Sequence, residues 1–372
     1  MGLYKKTFVS DSVSACLSFF SCPFPGRFRF LIIMSRELRN RILLLSLVVG
    51  AGALALAVLL PPGYRSKKRT LPATFDEYLK EKLRISHEKG ARPGNEERLI
   101  RYADKTEFAI LYIHGYGASR AEGELVVDQL AEKFKANTYY VRLPGHGTNP
   151  EDHAQATFSD YINEVEDAYQ MTRLLGDRVI IVGTSMGGLL ATYLGSRHPE
   201  IDGLILTSPF YDFEDWLGRL ANEPGAMYLL ETVNGSAFRK TEKRPDDPND
   251  KRIEGYQDFW YTKQYLKAIK SLENLREYAA NSGTYERLTM PVLLLYYYKD
   301  EQHKDQTASV PAMLDAFHQF GMLDKPNPLN RAVAIERGNH VLLSRWVDAD
   351  YDRSLQEMVL FVNAVKSRNV KK

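Results

Sequence analysis

From residue 108 onward the chain switches repeatedly between two hydrophobic periods. FAILYIH (108–114), RVIIVG (178–183), DGLILTS (202–208) and PVLLLYYY (291–298) are short, nearly continuous apolar runs, the pattern of strands buried on both faces, and 137–143 is expected to be a strand as well. A further strand is expected over 331–335. Between them, residues 122–134, 158–175, 187–198, 311–320 and 354–365 carry apolar side chains at helical spacing. Upstream, Phe75, Tyr78, Leu79 and Leu83 share that spacing behind the acidic pair Asp76 and Glu77, which predicts a helix over 75–88 with its first turn suited to the helix dipole. Strands alternating with helices imply an α/β fold, a mostly parallel sheet covered by helices on both faces. The alternation lapses over 209–290, which therefore reads as an insertion.

The N-terminal part follows another pattern. ILLLSLVVGAGALALAVLL (42–60) is an uncharged apolar run. At about 1.5 Å per residue it would extend roughly 28 Å as a helix, close to the hydrocarbon thickness of a bilayer. Pro61, Pro62 and Gly63 follow it with no small-residue cleavage pattern, so the expectation is an uncleaved single-pass membrane anchor over 34–62. Basic residues flank both ends (Arg36, Arg39 and Arg41 before; Arg65, Lys67, Lys68 and Arg69 after). The charge bias thus gives no clear sidedness, and an extracytoplasmic body is placed first. Residues 1–33 have no sustained period, whereas Met34 opens the basic flank MSRELRNR. Translation starting at Met34 is expected, with 1–33 a non-native extension. Residues 63–107 are expected to be a linker and a leading helix, and 108–372 the main domain.

Composition narrows the function classes. The chain has 372 residues with Lys+Arg 49 against Asp+Glu 47, a formal charge of +2, which gives no reason to expect a nucleic-acid partner. Cys16 and Cys22 are the two cysteines and both precede the body. The body therefore has no disulfide framework, no cysteine nucleophile and no thiolate metal site. No metal or organic cofactor is expected.

The chemistry concentrates at the ends of the strands. VGTSMGG (182–188) places Ser185 between glycines, directly after a strand and directly before a helix. A serine nucleophile on a strained strand-to-helix turn needs small neighbours, and Gly183, Gly187 and Gly188 supply them. A phosphate-binding loop would want a lysine after the glycines, and Leu189 and Leu190 stand there instead. Serine needs a base. His340, in RGNHVLL, falls in the loop between the 331–335 strand and the last helix, at the sheet edge where Ser185 is exposed. The base in turn needs a carboxylate to fix its tautomer, and chain order puts that acid between the two. Asp300 and Asp305, in the loop after PVLLLYYY, are the candidates; Asp305 is placed first and both remain open. HGYGAS (114–119) follows the first strong strand. Backbone amides of such a turn can face a developing oxyanion, and the N–H groups of Tyr116 and Met186 are the candidates.

Taken in order, HGYGAS, RLPGHGTNPED (142–152), GTSMGG, PVLLLYYYKD and GNHVLL resemble the α/β-hydrolase fold over about 108–365. Within it, they are most similar to carboxylesterase and monoacylglycerol-lipase-like members, the serine aminopeptidase S33 or lysophospholipase-like group. The resemblance implies Ser185 as nucleophile, His340 as base, a carboxylate at 300 or 305 as its orienter, and LPGHG as a structural loop near the entrance. The acid loop departs from the family pattern: Tyr297 stands where a glycine is usual, and no apolar pair follows Asp300. The insertion at 209–290 falls where the family carries its cap. Its aromatic residues, Phe210, Trp216 and Trp260 among them, are split between the insertion's own core and an acyl or aryl pocket.

These parts imply a serine hydrolase acting on small-molecule carboxylic esters, lipid-like or short acyl, through an acyl-enzyme. The same machinery would serve an aminopeptidase, for which Glu214, Asp215 and Glu223 could hold a substrate amine, or an acyltransferase. A non-catalytic, membrane-tethered binding protein would have no use for the Ser–Asp–His order.

Overall fold

The structure, a computed structural model, describes residues 36–59, 63–67, 69–215, 232, 235–241, 247–251 and 254–368. The expectations about residues 1–33 and Met34 lie outside them, as do Trp216 and Glu223. The chain forms two units, 1–60 and 61–372.

In the first unit, helix α1 (Arg36–Leu59) contains most of the apolar run. Its opening turns carry Arg36, Glu37, Arg39 and Arg41, and Ser46, Gly50 and Gly52 dilute the remainder. Among the described residues no helix is long and apolar enough to cross a membrane. The expected single-pass anchor at 42–60 is therefore corrected, and the expected membrane placement and extracytoplasmic side go with it.

The second unit is built on one sheet. Helix α2 (Phe75–Glu88) starts at a capping box: the Thr74 side chain accepts from the Glu77 N–H, and the Glu77 side chain accepts from the Thr74 N–H. Strand β1 (Arg98–Ile100), too short for a sequence signal, pairs antiparallel with β3 (Asn137–Tyr140) at the sheet edge. The rest of the sheet core is parallel: β3, β2 (Thr106–Ile113), β4 (Gly176–Thr184), β5 (Gly203–Thr207), β8 (Val292–Asp300) and β10 (Arg331–Ile335) lie side by side in that order. Strand β8 runs past the expected end at 298 and turns back as the short antiparallel β9 (His303–Lys304).

Side chains of β2 alternate between two cores, as the two-residue strand period requires. Ala109, Leu111 and Ile113 enter the core shared with α5 (Phe158–Thr172) and α6 (Met186–Arg197). Phe108, Ile110 and Tyr112 enter the core shared with α3 (Glu124–Phe134) and the last helix, Tyr351–Arg368. The helix expected from 122 begins only at Glu124, because Arg120–Glu122 forms a separate 3-10 turn. That turn leaves Glu122 facing inward, buried to 1% exposure.

Within 209–290 the described elements are a two-stranded antiparallel ribbon, β6 (Phe238–Lys240) with β7 (Lys263–Tyr265), a single-turn helix Tyr256–Phe259, and helix α7 (Leu266–Ala279). Leu272 and Leu275 of α7 pack into the α5–α6 core. Helix α8 (Val310–Gln319) follows β9, with Pro311 in its first turn.

Candidate active site

Ser185 links β4 to α6 and has φ +54° and ψ −119°. Positive φ is costly for a residue with a Cβ, and the fold holds it by backbone bonds. The Ser185 N–H donates to Thr207 O (3.0 Å), and the Ser185 carbonyl accepts from Phe210 N (3.0 Å) and Leu189 N (3.1 Å). The glycines allow close approach. A Cβ on Gly187 would collide with the Ile113 carbonyl oxygen, and one on Gly183 with the Gly187 carbonyl.

His340 reaches this turn from the loop after β10. Its Nε2 lies 2.8 Å from Ser185 Oγ and its Nδ1 2.7 Å from Asp305 Oδ2. Asp305 is fully buried, and its Oδ1 accepts from the backbone N–H groups of Thr307 (2.8 Å) and Ala308 (3.0 Å). A carboxylate so fixed accepts a hydrogen bond from the Nδ1–H of the imidazole, which leaves Nε2 to accept from the serine hydroxyl. Asp300 lies apart. It is half exposed and bonds the ring and backbone N–H of its own neighbour His303. The hairpin between β8 and β9 is the reason: it reverses the chain, so that the Asp305 N–H donates to Tyr297 O (3.1 Å) and the acid returns to the strand end.

The HGYG turn lies directly against the serine: a Cβ on Gly115 would touch Ser185 Cβ at 3.2 Å. Met186 is the first residue of α6, where helix N–H groups have no intrahelical acceptor. Beneath the turn sits a group that the sequence reading passed over. The rings of His114, His146 and His153 follow one another at 5.0 Å and 4.7 Å, with the Tyr116 ring 4.7 Å from His153. Burial pushes the His114 pKa down to about 4 and that of His153 to about 3, and takes His146 well below its ordinary value. His114 fits its neutral form, with Nε2 accepting from Leu143 N (3.2 Å) and Nδ1 donating to Gly115 O (2.9 Å). In the sequence His114 and His146 stood inside HGYG and LPGHG, and His153 carried no signal. Among the described residues no group of three or more His, Cys, Asp or Glu side chains is arranged to hold a metal ion.

Ser185 and His340 open into a cavity of about 760 Å³. Phe210, Phe213, Leu266, Ile269 and Leu272 form apolar wall, and Trp260 lines it as well. Phe210 packs edge-on against Phe213 at 4.7 Å, and Trp260 stacks on Tyr256 at 4.9 Å. Glu214 is paired with Lys304 at 3.0 Å.

Residues 110–349 match the family model described as "Alpha/beta hydrolase family". The chain belongs to the alpha/beta hydrolase family. This hydrolase is 34% identical to the thermostable monoacylglycerol lipase of Bacillus sp. (strain H-257) over 205 residues, covering 54% of this chain and 73% of that one. Solved structures share its fold. One is from the metagenome-derived lipolytic enzymes LipS and LipT (TM-score 0.58, 21% identity, 74% of this chain and 99% of that chain). Another is the monoacylglycerol lipase of Paleococcus ferrophilus (TM-score 0.53, 17% identity, 72% and 98%).

Proposed function

We propose that this alpha/beta hydrolase is a serine esterase of the lipase type, cleaving carboxylic esters of small acyl compounds through an acyl-enzyme. The observation that carries the reading is the unbroken Ser185–His340–Asp305 hydrogen-bond line, 2.8 and 2.7 Å, at the mouth of a cavity of mixed lining with Phe210, Phe213 and Leu272 on its apolar wall. The Bacillus monoacylglycerol lipase acts as support for a glyceride-like ester.

In this mechanism Ser185 Oγ attacks the ester carbonyl carbon while His340 Nε2 takes the hydroxyl proton. The carbonyl electron pair moves to oxygen, and the N–H groups of Tyr116 and Met186 stabilise that oxyanion. The tetrahedral intermediate collapses, the C–O bond to the alcohol breaks, and His340 returns the proton to the leaving alkoxide. Water then repeats the sequence on the acyl-enzyme, with His340 as base, and releases the acid. Asp305 keeps the imidazole in the tautomer that can accept from serine and stabilises the imidazolium. The acyl chain lies along Phe210, Phe213 and Leu272, and 209–290 serves as the cap over it. Of the candidate amine holders of an aminopeptidase, Glu214 is paired with Lys304 and Asp215 lines the cavity, and amide against ester turnover separates the two readings.

Nitrophenyl esters of increasing chain length test this. Turnover is expected to require Ser185 and to vary with acyl length. Turnover that survives Ser185→Ala unchanged would overturn the proposal.

A further inference from the structure

One buried acid beside the reacting serine has no part in that mechanism. Glu122 sits on the 3-10 turn before α3 and lines the cavity. Its Oε2 accepts the Gly115 N–H at 2.7 Å and the Tyr112 hydroxyl at 3.2 Å. The Tyr112 hydroxyl continues to Thr184 Oγ1 (3.2 Å), and that to Thr207 Oγ1 (2.8 Å), a line of bonds passing under the Ser185 turn. Among the described residues no donor bonds Oε1. A methyl group on Gly115 would touch both Glu122 Oε1 (2.9 Å) and Ser185 Cβ (3.2 Å), so little more than a methyl group separates this carboxyl from the nucleophile.

We propose that Glu122 is a positioning residue for the oxyanion turn: as a neutral acid it holds the His114–Gly115 peptide, and through it sets the next peptide so that the Tyr116 N–H faces the carbonyl oxygen attacked by Ser185. The inference rests on the serine-esterase reading above. Three features lead to it. The carboxyl bonds the peptide immediately before the candidate oxyanion donor. Both donors converge on Oε2, which leaves Oε1 to carry a proton. A negative charge here would stand beside a second developing negative charge in a dry site, where like charges cost most. Burial pushes the Glu122 pKa up to about 7, against the opposing pull of the Gly115 N–H, His340 and Tyr112. Those last two are the titratable groups that face it, from the loop after β10 and from β2. Ionisation of Glu122 is therefore expected near pH 7, and with it a loss of activity as pH rises past that value.

The test uses the full chain as wild type, Glu122→Gln, Glu122→Ala and Ser185→Ala, with kcat and KM for nitrophenyl butyrate from pH 5.5 to 9. Thermal melts check folding. Glutamine keeps the acceptor and has no charge. It is expected to match the wild-type kcat within about threefold at pH 6, to show no decline above pH 7, and to overtake wild type at pH 8.5. Alanine loses the tether and is expected to lower kcat about 10- to 100-fold with KM changed less than about threefold, somewhat less than deleting an oxyanion donor outright. A Glu122→Gln profile parallel to wild type across the range would overturn the proposal, whether or not the alanine variant folds. So would an alanine variant that raises KM with kcat intact. Loss of turnover in Ser185→Ala with unaffected Glu122 variants sinks Glu122 alone; absence of Ser185-dependent turnover in wild type overturns the esterase reading with it.

Discussion

Asp300 and Asp305 sit on opposite sides of one hairpin, and their surroundings differ. Asp305 is buried, with two backbone donors on one oxygen and His340 on the other. Asp300 is half exposed, and the His303 side chain and backbone hold its carboxyl below the usual carboxylate range. Asp305→Asn, which removes the acceptor that fixes the imidazole, is expected to lower kcat by about 10²- to 10⁴-fold. Asp300→Asn is expected to stay within about twofold, because an exposed pair of this kind contributes little. Side-by-side ester kinetics of the two variants check this. The sequence marked Ser185 and His340 without help, since each is bracketed by glycine or loop residues at a strand end. It left the acid open because linear distance from β8 does not reveal that β9 folds the chain back. Glu122 was invisible for a related reason. Its place just before an amphipathic helix looks like an ordinary acidic N-terminal residue, and only the intervening 3-10 turn points it inward.

At the scale of elements, long periodic segments were legible and short ones were not. β2, β4, β5 and β8 each contain an apolar run, because parallel strands buried on both faces are apolar through their buried part, whereas β10 at the sheet edge begins at the exposed Arg331. β1 has three residues and polar company, and its pairing with β3 is a tertiary fact. The apolar run at 42–60 misled in the opposite direction. The helix that holds most of it begins at Arg36 with charged residues in its opening turns, and among the described residues no helix is long and apolar enough to cross a membrane. The β4–α6 elbow gives a sharp prediction. Gly187 has no room for a methyl group against the Ile113 carbonyl, so Gly187→Ala must push α6 away from β2. Expected consequences are loss of Ser185-dependent turnover and a destabilisation of about 1–3 kcal/mol, the usual range for overpacking, read from urea denaturation. A variant with wild-type stability and kcat would show that the close approach is not needed.

For the whole molecule, the three neutral histidines under the HGYG turn make stability depend on pH. Their folded pKa values lie below the ordinary value of 6.5, at about 4 for His114 and about 3 for His153. The unfolded chain therefore binds more protons as pH falls through about 6.5, and folding free energy drops from there down to the folded values. For His114 the loss reaches about 3 kcal/mol by pH 4. The urea midpoint is accordingly expected to fall steeply between pH 6.5 and 4.5. His153→Phe removes one contributor and two ring nitrogens that have no hydrogen-bond partner among the described residues, and it is expected to flatten that slope while leaving stability at pH 7 equal or higher. A variant with the wild-type slope would place the acid sensitivity elsewhere. This cluster packs against the same turn whose Gly115 N–H bonds Glu122.

The central claim is that Ser185 is a nucleophile activated by His340 and Asp305. Reaction of the full chain with a fluorophosphonate, followed by intact mass and peptide mapping, tests it most directly. One adduct is predicted, on the peptide containing Ser185. It should be absent in Ser185→Ala and slowed by at least about 100-fold in His340→Ala, the order expected when a serine loses its base. An unmodified wild-type chain, or an adduct that persists in Ser185→Ala, would contradict the account.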